Sequence, residues 1–349
     1  MSFSSKQEVR NKHGIKYDFS SYVSPLGLPD SFVRSISDIN VFSSMPDYSC
    51  LDLRKKISSF ERTHYENIIC GNSISELVFK AVMALRPRKA LICAPTDPDF
   101  KQILLDNGCD VAEFMLSPEN NFALTTEFAD HIDEETDMVI VSSPNYPTGE
   151  LITPYTLGII SERCREHNTI MICDERYLQL VRNSDKYSAK NCVGPHIVVL
   201  RSITDTYGVL GFGLSYAIYS AEQIADIVSK AGTIIQIPTL AQIGGIAAID
   251  EEAYLKRSIR VINDERKYLS EELTRIGILV YSSHANFLLF KCELPLDNLL
   301  AKRGIIIRNF ENVSGLGKGF FGVCVSKRPL NDRIVSEIER LLRVREYIL

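Results

Sequence analysis

The sequence predicts an α/β protein: a large domain on a mostly parallel sheet with helices on both faces, then a smaller C-terminal α+β domain. Two observations carry this. Short apolar runs rich in Val and Ile alternate with helix-length amphipathic stretches through most of the chain, the rhythm of β-α-β units whose strands are buried on both faces. Beyond about residue 235 that rhythm stops, and a long helical stretch leads into several short strand-like runs and a last helix. The expected division is an N-terminal arm over 1–35, a large domain over 36–235 and a small domain over 236–349. A chain of 349 residues is long enough for both domains.

In order, "KALICAPT", "CDVAEFML", "DMVIVSSP", "TIMICDE" and "HIVVLRSI" read as buried parallel strands, each ending in turn residues or charges. Between them "ISELVFKAVMALR", "DPDFKQILLDNG" and "TPYTLGIISERCREHN" have helical spacing. The stretches "APTD", "SSPNYPTG", "DERY" and "SITDT" leave strands at one edge, where sites form in open α/β sheets. Past residue 235, "PTLAQIGGIAAIDEEAYLKRSIRVINDERKYLSEELTRIG" reads as one long helical segment. "ILVYSS", "ANFLLFKC", "GIIIRNF" and "FFGVCVS" follow as a short antiparallel sheet, and "NDRIVSEIERLLRVREYIL" closes the chain as a helix.

Composition narrows the function classes. Hydrophobic content is 45%, charged content 24% and net charge -5, which argues against nucleic acid or an anionic membrane as the main partner. The polar start "MSFSSKQEVRNKHG" has no apolar core of the kind that targets a chain for secretion, and no apolar run is long enough to span a bilayer. Nine scattered cysteines without a C-x-x-C pair read as reduced thiols in a cytoplasmic protein. The one near-cluster, Cys164 and His167 in "CREH", is too sparse for zinc, so no metal is expected. The glycines of "GVLGFG" and "GLGKGFFG" fit neither a dinucleotide fingerprint nor a Walker loop.

The chemistry-bearing signal is a series of motifs in fixed order: "DFSSYVSPLGLPDSF", "MPDYSCLDLRKKI", "IICGNSISELVF", "APTDPDF", "SSPNYPTGELI", "CDERYLQL", "ANFLLF", "GIIIRNF" and "GLGKGFFGVCV". The series resembles the fold-type-I pyridoxal-phosphate enzymes, in the branch of histidinol-phosphate aminotransferase and threonine-phosphate decarboxylase. That branch has "DFSANINPLGPP", "YPDPDYxxLRxAI", "ILLGNGATELIF", "PTFxEY", "NPNNPTGxLI", "DEAYxxF" and "GLGPGYIRVAV" at the corresponding places. The resemblance runs nearly end to end. It implies an aspartate-aminotransferase-like large domain, pyridoxal phosphate as the cofactor, and a homodimer whose sites lie at the interface. A mixed dimer with an active paralogue is the alternative assembly, and a small molecule is the expected ligand.

The resemblance also assigns roles. Asp174 would hold the protonated pyridine nitrogen, since a carboxylate beside it raises its pKa. Tyr177 would bond the ring oxygen, and Phe100 would stack on the ring. Gly71, Asn72 and Ser73 precede a helix whose backbone N–H groups could hold a phosphate, and Ser202 could add its hydroxyl. Arg308 matches a family arginine, and Lys318 lies in the glycine-rich loop near the family's carboxylate site. Each also has an ordinary structural use: a strand-end carboxylate, packed aromatics, a helix N-cap, a solvent-facing lysine.

Five positions depart from the pattern. Asp205 stands where the family keeps the lysine that bonds the cofactor, three residues after Ser202 and six before Gly211. Gly213 replaces a phosphate-binding arginine, Tyr146 a ring-binding asparagine, Met45 the tyrosine that reaches the partner subunit, and Gly322 the arginine for the substrate carboxylate. Without an amine at 205 there is no covalent attachment and no proton shuttle. At ~5 Å and an effective dielectric of about 20, an aspartate facing a phosphate costs roughly 3 kcal/mol per charge pair. Loss of a bidentate arginine removes about 1.5–3 kcal/mol more. The expectation is therefore a degenerate aminotransferase-like protein, silent or repurposed. The alternative is a pyridoxal- or pyridoxamine-phosphate enzyme acting on a small amino acid or phosphorylated amine.

Overall fold

The computed structural model describes Gly14, residues 16–37, Ser43, 45–232 and 235–346. Most of "MSFSSKQEVRNKHG", and with it the start of the expected arm, lies outside the described residues.

In chain order the described elements are β1 (Tyr17–Asp18), α1 (Asp30–Ser35), α2 (Leu51–Glu61), β2 (Ile68–Gly71), α3 (Ile74–Leu85), β3 (Lys89–Ala94), α4 (Pro98–Asp106) and β4 (Asp110–Met115). Next come β5 (Met138–Ser142), α5 (Pro154–Glu166), β6 (Ile170–Asp174), β7 (Ile197–Ser202), α6 (Ile203–Tyr207), β8 (Ser215–Tyr219) and α7 (Glu222–Lys230). The C-terminal part holds α8 (Thr239–Ile249), α9 (Glu252–Arg275), β9 (Leu279–Val280), β10 (Phe287–Lys291), α10 (Leu296–Ala301), β11 (Ile305–Ile306), β12 (Arg308–Asn309), β13 (Phe320–Cys324) and α11 (Arg328–Glu346).

The main sheet has the order β2-β8-β7-β6-β5-β3-β4. β8 runs antiparallel to both its neighbours and the other pairings are parallel. Both faces of the central strands are covered. On β3, Ala90 and Ile92 pack on one side, with Ile74, Leu77 and Val78 of α3; Leu91 and Cys93 pack on the other. Met138 and Ile140 alternate with Val139 and Val141 on β5 in the same way. This period of two explains why the sequence reads as unbroken apolar runs. β4 differs from the expectation of a buried strand: it is an edge, and Asp110, Ala112 and Met115 are exposed on it.

The strands' carboxyl ends set the site. β3 is followed by Pro95–Asp97, where Asp97 caps α4 and Pro98 opens it. β6 ends on Asp174 and β7 on Ser202, which caps the short α6. β3 and β5 are adjacent while β4 lies beyond β3, so the chain reverses its direction of travel across the sheet between them.

The second sheet, β12-β13-β10-β9, is antiparallel, and β1 pairs in parallel with β11. The single long helix expected after residue 237 is two helices. Asp250 closes α8, and Glu251, at φ -84 and ψ 58, leaves helical backbone before α9 begins. The break has a packing cause. α8 lies against α1 and α2, whereas α9 runs along α11 and the second sheet, so the chain must change layers between them.

Candidate active site

The end of β6 brings three charged groups together. Asp174 is buried, at 2% exposure. Its carboxylate accepts from the Arg176 backbone N–H at 3.0 Å and from the Arg176 Nε at 2.7 Å. The other side of that guanidinium reaches Asp97, with Nη1 3.0 Å from Oδ2. Its plane lies over the ring of Phe100, 5.7 Å from the centroid, and Phe100 is fully buried at the start of α4. Burial pushes the Asp174 carboxyl up, and Arg176 works against that rise. Burial also opposes the charge on Arg176, but Asp174 and Asp97 overcome it and hold the guanidinium's pKa well above its ordinary value.

Position 205 lies one turn beyond β7. The Ser202 hydroxyl accepts from the Asp205 backbone N–H at 3.1 Å. Burial raises the half-buried Asp205 carboxyl, Ser202, Arg176 and Arg308 lower it, and Asp174 adds to the rise. Tyr177 is next to it: burial first, and then the Asp205 charge, push the phenol well above its usual range.

An aromatic wall closes the cleft. The Tyr22 ring stacks on Phe287 at 4.5 Å, and Tyr177 meets Phe287 edge-on at 5.1 Å. Tyr146 lies 6.0 Å from Tyr22 and 5.8 Å from Phe310. Burial lifts the Tyr146 phenol to about 12. Arg308 donates through Nε to the Ser20 carbonyl at 2.7 Å, and its guanidinium sits over the Tyr22 ring. The Tyr22 hydroxyl is buried and has no hydrogen-bond partner among the described residues.

Gly213 and Gly322, where the resemblance leads to the expectation of arginines, are closed in by neighbours. A Cβ at Gly322 would overlap the Tyr22 hydroxyl and the Phe310 ring, and one at Gly213 would overlap the carbonyl oxygen of Asn72. A side chain cannot enter either position without displacing well-packed atoms.

At the start of α3, Asn72 and Ser73 serve the helix, while Gly71 is the last residue of β2. The Asn72 backbone N–H donates to Glu76 Oε2 at 2.6 Å and the Ser73 hydroxyl accepts from the Glu76 N–H at 3.1 Å, a reciprocal capping arrangement. Ser75 donates to Asp99 at 2.7 Å. Lys318 is left outside the cleft: its side chain is 90% exposed and pairs loosely with Glu311 at 3.9 Å. Met45 is exposed as well. The structure thus brings Asp174, Tyr177, Asp205, Ser202, Tyr146, Phe100 and Arg308 to one place. Among the described residues, no group of three or more His, Cys, Asp or Glu is arranged to hold a metal ion.

These residues do not fit pyridoxal phosphate. The carboxylate that would hold the pyridine nitrogen already holds a guanidinium, which also covers the ring of Phe100. Asp99, which accepts from Ser75 in the first turn of α3, and Asp205, whose backbone N–H donates to the Ser202 hydroxyl, add negative charge beside the groups that a phosphate would need as donors. The residues missed from sequence are Arg176, Asp97 and Tyr22. The signal was present in the quoted motifs: "DERY" against "DEAY", "PTDPDF" against "PTFxEY" and "DFSSYVSP" against "DFSANINP".

Comparison with known proteins bears on all of this. The pattern of the family "Aminotransferase class I and II" matches residues 16–338. Threonine-phosphate decarboxylase from Salmonella typhimurium is 26% identical over 330 residues, 93% of this chain and 91% of the relative. The crystal structure of histidinol-phosphate aminotransferase from Clostridium acetobutylicum superposes with a TM-score of 0.86 at 25% identity, covering 93% of this chain and 99% of that one. The same fold is seen in histidinol-phosphate aminotransferase from Sinorhizobium meliloti in complex with pyridoxal-5'-phosphate, at a TM-score of 0.85 and 18% identity, with 97% and 94% covered.

Proposed function

This chain belongs to the aminotransferase class I and II family, whose fold-type-I cofactor is pyridoxal phosphate, and from that premise we propose that it is a member that no longer performs standard transamination. It is a silent or repurposed homologue that keeps the scaffold. The observation that carries the reading is the placement of Asp205. A carboxylate, not an amine, stands one turn beyond β7, in electrostatic reach of Tyr177, Asp174 and Arg176. A carboxylate cannot form the covalent bond to an aldehyde on which amino transfer depends, and it cannot take the place of lysine as a nucleophile.

The surroundings support the same reading. Restoring one amine would leave the closed spaces at Gly213 and Gly322 and the ion pair on Asp174 unchanged. The family's working relatives keep the second reading alive, a pyridoxal- or pyridoxamine-phosphate aminotransferase or decarboxylase on a small or phosphorylated amine, with Asp174 and Tyr177 as its support.

We further assign the chain to the cytoplasm, in keeping with nine free cysteines, eight of them buried. Among the described residues no helix is long and apolar enough to cross a membrane. A homodimer, or a mixed dimer with an active paralogue in a biosynthetic pathway, accounts for the exposed apolar side chains of Leu28, Val33, Met45, Tyr48 and Leu210.

The test is direct. Purified protein is mixed with pyridoxal phosphate, reduced with borohydride, and assayed for amino transfer from histidinol phosphate and for decarboxylation of threonine phosphate. The expected result is no trapped lysine adduct and no turnover, in the natural chain and in Asp205→Lys alike. Turnover by either protein sinks the reading.

A further inference from the structure

Absence of the lysine alone does not explain Arg176. Two departures from the family motifs, arginine in "DERY" and aspartate in "PTDPDF", are far apart in the chain, yet they meet as an ion pair at 3.0 Å. Their pairing is not a surface accident. The side chains of Arg176, Asp97 and Asp174 are 13%, 12% and 1% exposed. Three elements hold the guanidinium: the end of β6 through Asp174, the cap of α4 through Asp97, and the face of Phe100.

Guanidinium and protonated pyridine share the properties that such a place selects. Both are flat cations, both donate a charge-assisted N–H bond to a carboxylate, and both lie against an aromatic face. Asp174 Oδ2 takes the Arg176 Nε at 2.7 Å, so a ring nitrogen would compete with the guanidinium for the same oxygen. A buried carboxylate without a counter-charge is strongly unfavourable, which gives the site a reason to be filled at all times.

We propose that Arg176 is a resident occupant of the cation site that the family keeps for its cofactor ring, so that this protein closes the ring site with its own side chain. The proposal rests on the functional reading above and deepens it: the site is filled, in addition to being disarmed. The ligand class it excludes is the protonated heteroaromatic ring. Removal of the guanidinium opens a place for that class between Asp174 and Phe100.

The experiment uses pyridoxine, which carries the ring but neither aldehyde nor phosphate, so the result depends neither on a covalent bond at position 205 nor on a phosphate anchor, and the Asp205 charge is common to every chain compared. Affinity is measured by calorimetry for the natural chain, for Arg176→Ala, and for Arg176→Ala with Asp97→Asn, the last relieving the second unpaired carboxylate should the single variant fail to fold. Thermal stability with and without methylguanidinium is read in parallel. The folded variant is expected to bind pyridoxine on the order of tenfold or more tightly than the natural chain. Methylguanidinium at low millimolar concentration should stabilise the variant alone. Equal pyridoxine affinity in the natural chain and a folded variant overturns the role of Arg176 while leaving the functional reading in place. A borohydride-trapped lysine adduct in the natural chain overturns the functional reading itself.

Discussion

Asp205 carries a measurable electrostatic signature. Burial raises its carboxyl pKa in the folded state, so the folded chain holds that proton more tightly than the unfolded chain. Its contribution to stability is therefore full below the unfolded value, about 4, and is lost as pH rises through the folded value. Asp205→Asn removes this loss. Its stability relative to the natural chain should rise between about pH 4 and pH 7, as urea unfolding at the two pH values will show; a flat or falling difference would contradict the burial of that carboxylate. Gly213 makes a steric statement at the same scale. Because a Cβ there meets a backbone oxygen, even Gly213→Ala should cost roughly 1–3 kcal/mol by urea unfolding. A neutral alanine would mean that space for a longer side chain remains.

The elements around the cleft are tied by a second buried network below it. Glu61 at the end of α2 accepts from the Tyr216 hydroxyl of β8 at 2.6 Å and pairs with Lys190 at 2.5 Å. Arg201 of β7 pairs with Glu175 at 2.7 Å. Burial works to raise the Glu61 carboxyl, yet Arg201, Lys190 and Tyr216 together hold it below its ordinary range. A depressed acid stabilises above its unfolded pKa and stops doing so as pH falls through its folded value. Glu61→Gln should lose roughly 3 kcal/mol near neutrality, with the gap to the natural chain narrowing below about pH 4. A gap independent of pH would show that Glu61 acts through shape and not charge.

The parallel strands β3, β5, β6 and β7 were legible because both their faces are buried, which leaves nearly continuous apolar runs. β2 and β8 were not, since "IICG" read only as part of a motif and "SYAIY" was assigned to no element. The break between α8 and α9 was invisible because Asp250 and Glu251 are ordinary helix-surface residues, and only the change of packing partner ends the helix there.

At the scale of the molecule, motif order sufficed to place Asp174, Tyr177, Ser202 and Asp205 at one sheet edge. It could not reveal that Arg176 and Asp97 compensate each other, or that Tyr22 fills the space at Gly322. Each is a single mismatch inside a matching motif, and their relation exists only in three dimensions. Assembly has its own test. Sedimentation equilibrium should give twice the chain mass of 39.3 kDa, and a monomer at micromolar concentration would leave the exposed apolar side chains without their proposed cover.

The most direct measurement of the central claim is a crystal structure of the natural chain grown with saturating pyridoxal phosphate. Density for the Arg176 guanidinium between Asp174 and Phe100, with no pyridine ring there, is the expected result. A ring stacked on Phe100, with its nitrogen on Asp174 and Arg176 swung away, would contradict it.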